Sequence, residues 1–374
     1  MRNQSSDKLH FSSVLVDTHN DFLSKSLEKN YSFDTNLKGK THSDLQRMFE
    51  GGVDIQIFSV WCDAREDAFA HANHEIDSLD AFIKRNPKKM KMVRSYADAE
   101  FAIKHKMLGA MIGVEGGHMI EDDLAKLETL YKRGARYMTL TWNNNPTWAT
   151  SAMYENENKD KDVRKGLTDF GRQVVKKMNE LGMMVDLSHV GEQTFKDAIS
   201  ISTKPIILSH SSVWNISPVF RNAKDYQLDM IKQNNGVICV NFFSGFIDSN
   251  FNARNKAFNA RHKAEKDSLL NAGKEDFFAE DYLFEKYADE VKTLRPPFSL
   301  LIDHIDYLVK RIGADHVGIG SDFDGISSAP MEMDGAEDYP KITAALKQRG
   351  YTDSDVSKIL GGNVLRVFRE NQKK

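Results

Sequence analysis

Residues 14–23, Val-Leu-Val-Asp-Thr-His-Asn-Asp-Phe-Leu, run from three apolar side chains straight into Asp17, His19 and Asp21. A buried strand that ends in metal-binding side chains organises the reading of the whole chain. Residues two apart in a strand point the same way, so His19 and Asp21 aim at one ion if extended geometry persists past the strand end. The same event recurs downstream, where apolar runs close on Glu, His or Asp. These ends are expected to meet at one rim.

Working outward, β-rich runs occupy 14–17, 53–60, 111–115, 137–141, 183–188, 205–209, 236–242 and 316–321. Between them lie stretches with helical spacing, such as 122–133, 169–181, 191–201 and 226–235. Gly51, Gly52, Gly109, Gly134, Gly182, Gly236 and Gly313 stand just before strands, where a left-handed cap would stop a helix. Eight β–α units whose strands are too apolar to face water predict an α/β fold, a (β/α)8 TIM barrel of the metal-dependent hydrolase type. The open doubly wound sheet is the competitor, and the count of eight favours the barrel. In either arrangement chemistry belongs at the C-terminal strand ends.

The chain reads as a single domain, 1–374. Residues 62–106 add two helix-like stretches as decoration. Residues 246–298 form a helical insertion after the seventh strand, which as a βα connection sits on the active-site rim. It is either a helical hairpin that packs or dimerises, or a lid over the substrate. Residues 339–348 and 353–369 are expected as closing helices.

A net charge of −3 without a long basic run gives no reason to expect nucleic acid or an anionic membrane as partner, and leaves a small molecule as the default. Cys62 and Cys239 are too few for a disulfide framework or a thiolate zinc site. No apolar run approaches the ~20 residues of a spanning helix, and the N-terminal stretch is polar, without a signal-peptide segment. The expectation is a soluble protein, cytoplasmic or exported with its signal absent from this chain.

The strand ends present His19 and Asp21, Glu115, His189, His210 and Asp322. Singly each is a weak signal; together, three histidines and three carboxylates on one rim make an unfavourable polar cluster unless a cation compensates them. Imidazole and carboxylate without thiolate suit Zn²⁺, with Mn²⁺, Co²⁺ or Fe²⁺ as substitutes. Five candidate ligands exceed the needs of one catalytic zinc and fit two ions. With Glu115 bridging, His19 and Asp21 could complete one and His189 and His210 the other. Asp322 could then carry the proton, with Asp324 as rival.

The motifs DTHND, GVEGGH, DLSHV, LSHSS and GSDFDG, in this order and spacing, resemble the renal or membrane dipeptidase family, metallopeptidases among the amidohydrolase-like barrels. The likeness runs from about Val14 to the C-terminal GGNVLRVF. It implies hydrolysis of small dipeptides, L,L and L,D, at a binuclear zinc site. His19 and Asp21 match one zinc's ligands, Glu115 the bridge, His189 and His210 the second zinc's ligands, and Asp322 the acid/base. Arg221, in VFRN, matches the arginine that holds the substrate's carboxylate, a role that a planar guanidinium suits. The resemblance also suggests a homodimer.

One position departs from the family pattern. Where a histidine commonly contacts the substrate carbonyl, this chain reads TLTWNNNPTWATS and places Trp142. Asn143, Asn144 or Asn145 could donate instead, or the aromatic shapes the pocket while the metals act as electrophile. This departure keeps open another amide or ester hydrolase on the same site, acting on N-acyl amino acids, lactones or β-lactams. A barrel that binds peptide or metal without turnover is the other alternative. His71, His74 and Glu75 read as a solvated helix face. His118 is placed equally between a role beside Glu115 and a structural one, and Asp17 and Asp186 either orient imidazoles or cap turns.

Overall fold

The computed structural model describes residues 4–274 and 276–372. Residues 1–3, 373–374 and Glu275, the last within the insertion, lie outside the described residues.

Strands β1 (Val16–Asn20), β2 (Ile55–Val60), β4 (Leu108–Glu115), β5 (Ala135–Thr139), β6 (Met184–Asp186), β7 (Ile207–Ser211), β8 (Val237–Val240) and β9 (Val317–Ile319) close into an eight-stranded parallel barrel. Closure runs through β1 on β9 at Asp17↔Ile319 and β2 on β4 from Ile55↔Gly109 to Val60↔Val114. One strand was not foreseen: β3 (Met90–Met92) pairs with the start of β4 inside the expected helical decoration. Its three residues are too few to show a period against flanking helices.

Side-chain parity explains why the rim is polar. In β2, Ile55 and Ile57 belong to the barrel-interior cluster, while Phe58 and Val60 belong to the core between strands and helices. The interior cluster takes in Met111, Tyr137, Met184, Ile207, Val237 and Cys239, with Val364, Val367 and Phe368 of the C-terminal helix packed against them. One step further along these faces, polar residues meet: the Ser59 hydroxyl donates to Glu115 at 3.2 Å and that of Thr139 to Asp186 at 2.6 Å. An apolar floor thus carries a polar ring.

The helices form close to where spacing placed them, for example Asp169–Leu181, capped at its start by the Thr168 hydroxyl and at its end by Gly182 in the left-handed region. Three of the expected glycines do not supply the left-handed cap: Gly51 is right-handed at φ −80°, with Gly52 beside it taking the positive φ, and Gly109 and Gly236 also fail to adopt it. Lys106 and Asn235 adopt the positive φ (53° and 60°), while Gly109 lies inside the paired part of β4 and a Cβ at Gly236 would come within 2.7 Å of the Ile206 carbonyl oxygen. The stretch expected as one helix over 353–369 is Asp353–Ser357, a π turn Lys358–Gly362, then Asn363–Asn371.

Between the short turn after β8 and the barrel helix Phe298–Ile312, the described residues form four helices, Phe251–Arg261, Lys263–Asn271, Asp276–Lys286 and Ala288–Lys292. They enclose a small core of Phe251, Phe258, Leu283, Phe284, Val291 and Leu294. Lys25 bonds Asp281 at 2.9 Å, tying this insertion to the helix Phe22–Lys29 that follows β1.

Candidate metal centre

Glu115, the last residue of β4, is the hub. Its Oε2 lies 3.3 Å from His19 Nε2, and its Oε1 lies 2.9 Å from His189 Nε2 and 3.3 Å from His210 Nε2. Asp21 Oδ2 is 3.4 Å from His19 Nε2. Ligand atoms of His19, Glu115 and His210, and of His19, Asp21 and Asp322, lie close enough together for each trio to share an ion. His19 is inside β1 rather than beyond it, and Asp21 begins the next helix without a side-chain cap bond, leaving its carboxylate free for the site. His189 follows β6 in a turn, with φ 62°.

The three imidazoles have one tautomer in common. Tyr137 donates its hydroxyl to the Thr18 carbonyl at 3.0 Å, so at 2.7 Å it accepts from His19 Nδ1. Ser209 donates to Asp186 at 2.6 Å and accepts from His210 Nδ1 at 2.7 Å. Asn143 Oδ1, an acceptor only, lies 3.1 Å from His189 Nδ1. With protons fixed on Nδ1, the Nε2 lone pairs converge.

A cation fits this arrangement. His19 Nε2 is fully buried and makes no hydrogen bond, despite two carboxylates beside it. His189 Nε2 and His210 Nε2 face one another at 2.9 Å, a repulsive contact for two lone pairs unless a Lewis acid or proton lies beside them. Electrostatics agree. Burial disfavours charge on His19, but Tyr137, Glu115 and Asp21 outweigh it and raise its pKa well above the ordinary value. Burial and Arg221 push His189 down to about 4, and burial and His19 push His210 well below the ordinary value. Against burial, His19 and His189 hold Glu115 well below the usual carboxylate range. The surroundings therefore draw positive charge to His19 beside Glu115 and keep His189 and His210 neutral, with lone pairs available to a cation, in a medium where charge is expensive to leave unpaired.

Asp322 sits across from Asp21 in left-handed backbone, φ 62°. Confinement by the protein, with the Asp21 charge, pushes its carboxyl well above the usual range against the His19 field. Asn241 Nδ2 donates to its Oδ2 at 2.8 Å. Its rival Asp324 is engaged elsewhere, accepting from His42 N at 2.6 Å and the Ser43 hydroxyl at 2.5 Å.

Arg221 is buried, with Nε unpartnered, one amine 3.3 Å from the His210 carbonyl and the guanidinium over Phe246. It forms no ion pair among the described residues, and burial lowers its pKa to about 10. Such a cation is available to an incoming anion. Trp142 packs edge-on against Trp61, ring centroids 5.0 Å apart, with His189 at 6.4 Å. Asn145 accepts from Ser151 N at 2.7 Å, and Asn144 Oδ1 is buried without a partner.

The remaining expectations divide. Asp186 reaches His210 only through Ser209, and Asp17 takes Ser321 and Tyr339 rather than an imidazole. His118 bonds the Cys62 carbonyl at 3.0 Å, not Glu115. Glu75 is not on a solvated face: it is fully buried, accepting from Trp61 N at 2.7 Å and the Ser24 hydroxyl at 2.8 Å. Its partners come from distant segments, so helical spacing alone could not reveal them. Tyr137, Ser209 and Asn241 were missed; the available signal was a polar group inside otherwise apolar strands.

A profile of the membrane dipeptidase family (peptidase family M19) matches residues 3–374. The chain is 31% identical over 340 residues to the dipeptidase tcpJ of Claviceps purpurea, covering 88% of this chain and 69% of that protein. In fold it is similar to the probable dipeptidase PvdM of Pseudomonas aeruginosa, with TM-score 0.79, 23% identity and coverage of 99% and 98%. It is also similar to a Rhodobacter sphaeroides metallopeptidase solved with a phosphinate mimic of L-Ala-D-Ala, with TM-score 0.78, 23% identity and coverage of 96% and 100%.

Proposed function

Because this chain belongs to the membrane dipeptidase family, metallopeptidases that hydrolyse peptide bonds, we propose that it is a binuclear metal-dependent dipeptidase acting on small L,L and L,D dipeptides. The observation that carries this reading is the division of Glu115, one oxygen toward His19 and the other toward His189 and His210. His19 and Asp21 would hold one ion, His189 and His210 the other, and Glu115 both. Two zinc ions, with manganese or cobalt as substitutes, would supply Lewis acidity to the scissile carbonyl and to a water.

The chain's own residues supply the rest. Arg221 grips the substrate's free carboxylate, replacing the partner its buried guanidinium lacks. Asp322, oriented by Asn241, takes a proton from the attacking water and delivers it to the leaving amine. Trp142 and Trp61 wall the pocket. Asn143 Nδ2, which makes no hydrogen bond among the described residues, faces the substrate's polar backbone as a donor. The insertion 246–298 is a rim element of a single 1–374 domain and shields the site, fastened by Lys25–Asp281.

The test is hydrolysis of a panel of L,L and L,D dipeptides by zinc-loaded protein beside Asp322→Asn. Cleavage is expected, with kcat about 10²–10⁴-fold lower in the variant, the usual contribution of a general acid–base. No cleavage of any dipeptide sinks the proposal. The placement of Trp142 beside His189 favours one second reading, hydrolysis of another amide or ester with a free carboxylate, which an N-acyl amino acid panel would reveal.

A further inference from the structure

Resting on the assignment of His189 as a metal ligand, we propose that Asn143 is a positioning residue: its amide oxygen fixes the tautomer and tilt of the His189 imidazole and so sets the affinity of that half of the centre. The other two histidines take their Nδ1 acceptors from barrel strands, Tyr137 in β5 and Ser209 in β7. His189 lies in a turn at φ 62°, where a non-glycine backbone persists only if its surroundings hold it.

Those surroundings are one segment, the connection after β5. The Thr141 hydroxyl donates to the His189 carbonyl at 3.1 Å, and Ala152 N donates to the same oxygen at 2.7 Å. Asn143 Oδ1 engages the ring at 3.1 Å. The segment is itself braced, since the Ser151 hydroxyl donates to the Asn143 carbonyl and Ser151 N to Asn145 Oδ1, each at 2.7 Å. Backbone bonds therefore place the His189 Cα, and on the side of the ring away from Glu115 and His210 the Asn143 amide oxygen is the Nδ1 acceptor among the described residues. An acceptor there keeps the proton on Nδ1 and turns the Nε2 lone pair toward Glu115 Oε1 and His210 Nε2, both at 2.9 Å. Outer partners of this kind tune ligand basicity and metal affinity.

Substitutions at position 143 should divide by whether the new side chain accepts a hydrogen bond. Aspartate at 143 still accepts from Nδ1, whereas leucine of similar size does not. The experiment titrates chelator-stripped full-length protein with Co²⁺ against a chromophoric chelator, following the visible cobalt spectrum, in wild type, Asn143→Asp, Asn143→Leu and His189→Asn. Wild type is expected to bind two ions. Asn143→Leu should hold one at wild-type affinity, bind the other about 10–100-fold more weakly and alter its cobalt bands. Asn143→Asp should retain both.

Leucine binding both ions as wild type overturns the proposal, and so does an aspartate variant that loses an ion. If Asn143→Leu does not fold, the aspartate variant decides alone. His189→Asn retaining both ions overturns the ligand assignment itself, a failure distinct from that of the Asn143 role.

Discussion

At the scale of single residues, the centre is defined by what each polar group lacks. Arg221 has a buried guanidinium without a carboxylate, so its contribution should appear only when substrate arrives. Arg221→Met is expected to raise KM for dipeptides by roughly 30-fold or more, the lower end of ~2–5 kcal/mol for truncating a buried charge pair. Substrates with an amidated C-terminus should barely respond. Equal losses on both substrates would remove Arg221 from carboxylate recognition. His304 makes a second residue-level case, away from the centre. Val213 N donates to its Nδ1 at 3.0 Å and its Nε2 donates to the Ile247 carbonyl at 2.9 Å, so the ring is held neutral. Burial pushes its pKa down to about 4 from an ordinary 6.5. A group depressed in the folded state binds its proton more readily when unfolded, so its contribution is complete above pH ~6.5 and falls away toward pH ~4. Wild type should therefore lose ~2 kcal/mol more than His304→Gln between pH 7.5 and 5 in denaturant titrations. Parallel curves for the two proteins would contradict this.

Elements carry the residues to one place, and their small side chains matter as much as the reactive ones. Gly113 in β4 faces Tyr137 in β5: a Cβ there would lie 2.0 Å from the ring, the same ring that accepts from His19 Nδ1. Gly113→Ala is expected to destabilise the fold by about 1–3 kcal/mol through overpacking and to weaken the His19 metal with it. Thermal unfolding and zinc competition measured on the same sample check both, and an unaffected metal affinity would separate Tyr137 from the site. The sequence made the barrel strands legible because parallel buried strands are continuous apolar runs, and made the candidate ligands legible because each interrupts such a run at its end. It did not reveal β3, too short to show a period. Nor did it expose Glu75, whose spacing matches a solvated helix face although its bonds go to Ser24 and Trp61. The Nδ1 partners were hidden for the same reason: Tyr137 and Ser209 look like core and filler until the barrel closes and brings β1, β5 and β7 together.

At the scale of the whole molecule, closure of the barrel converts five separated motifs into one mouth, with an apolar floor below and the insertion tied alongside through Lys25 and Asp281. No described helix is long and apolar enough to cross a membrane. The family and the barrel are properties of the entire chain, whereas the number of ions and the substrates depend on a few side chains at the mouth. Their division around Glu115 is the central claim. The most direct measurement titrates chelator-stripped protein with zinc while following cleavage of L,L and L,D dipeptides and counting bound metal. Two ions bound per chain, with activity complete only on the second, is the predicted result. Full activity at one ion per chain would contradict the binuclear centre, and two bound ions without cleavage of any dipeptide would contradict the dipeptidase.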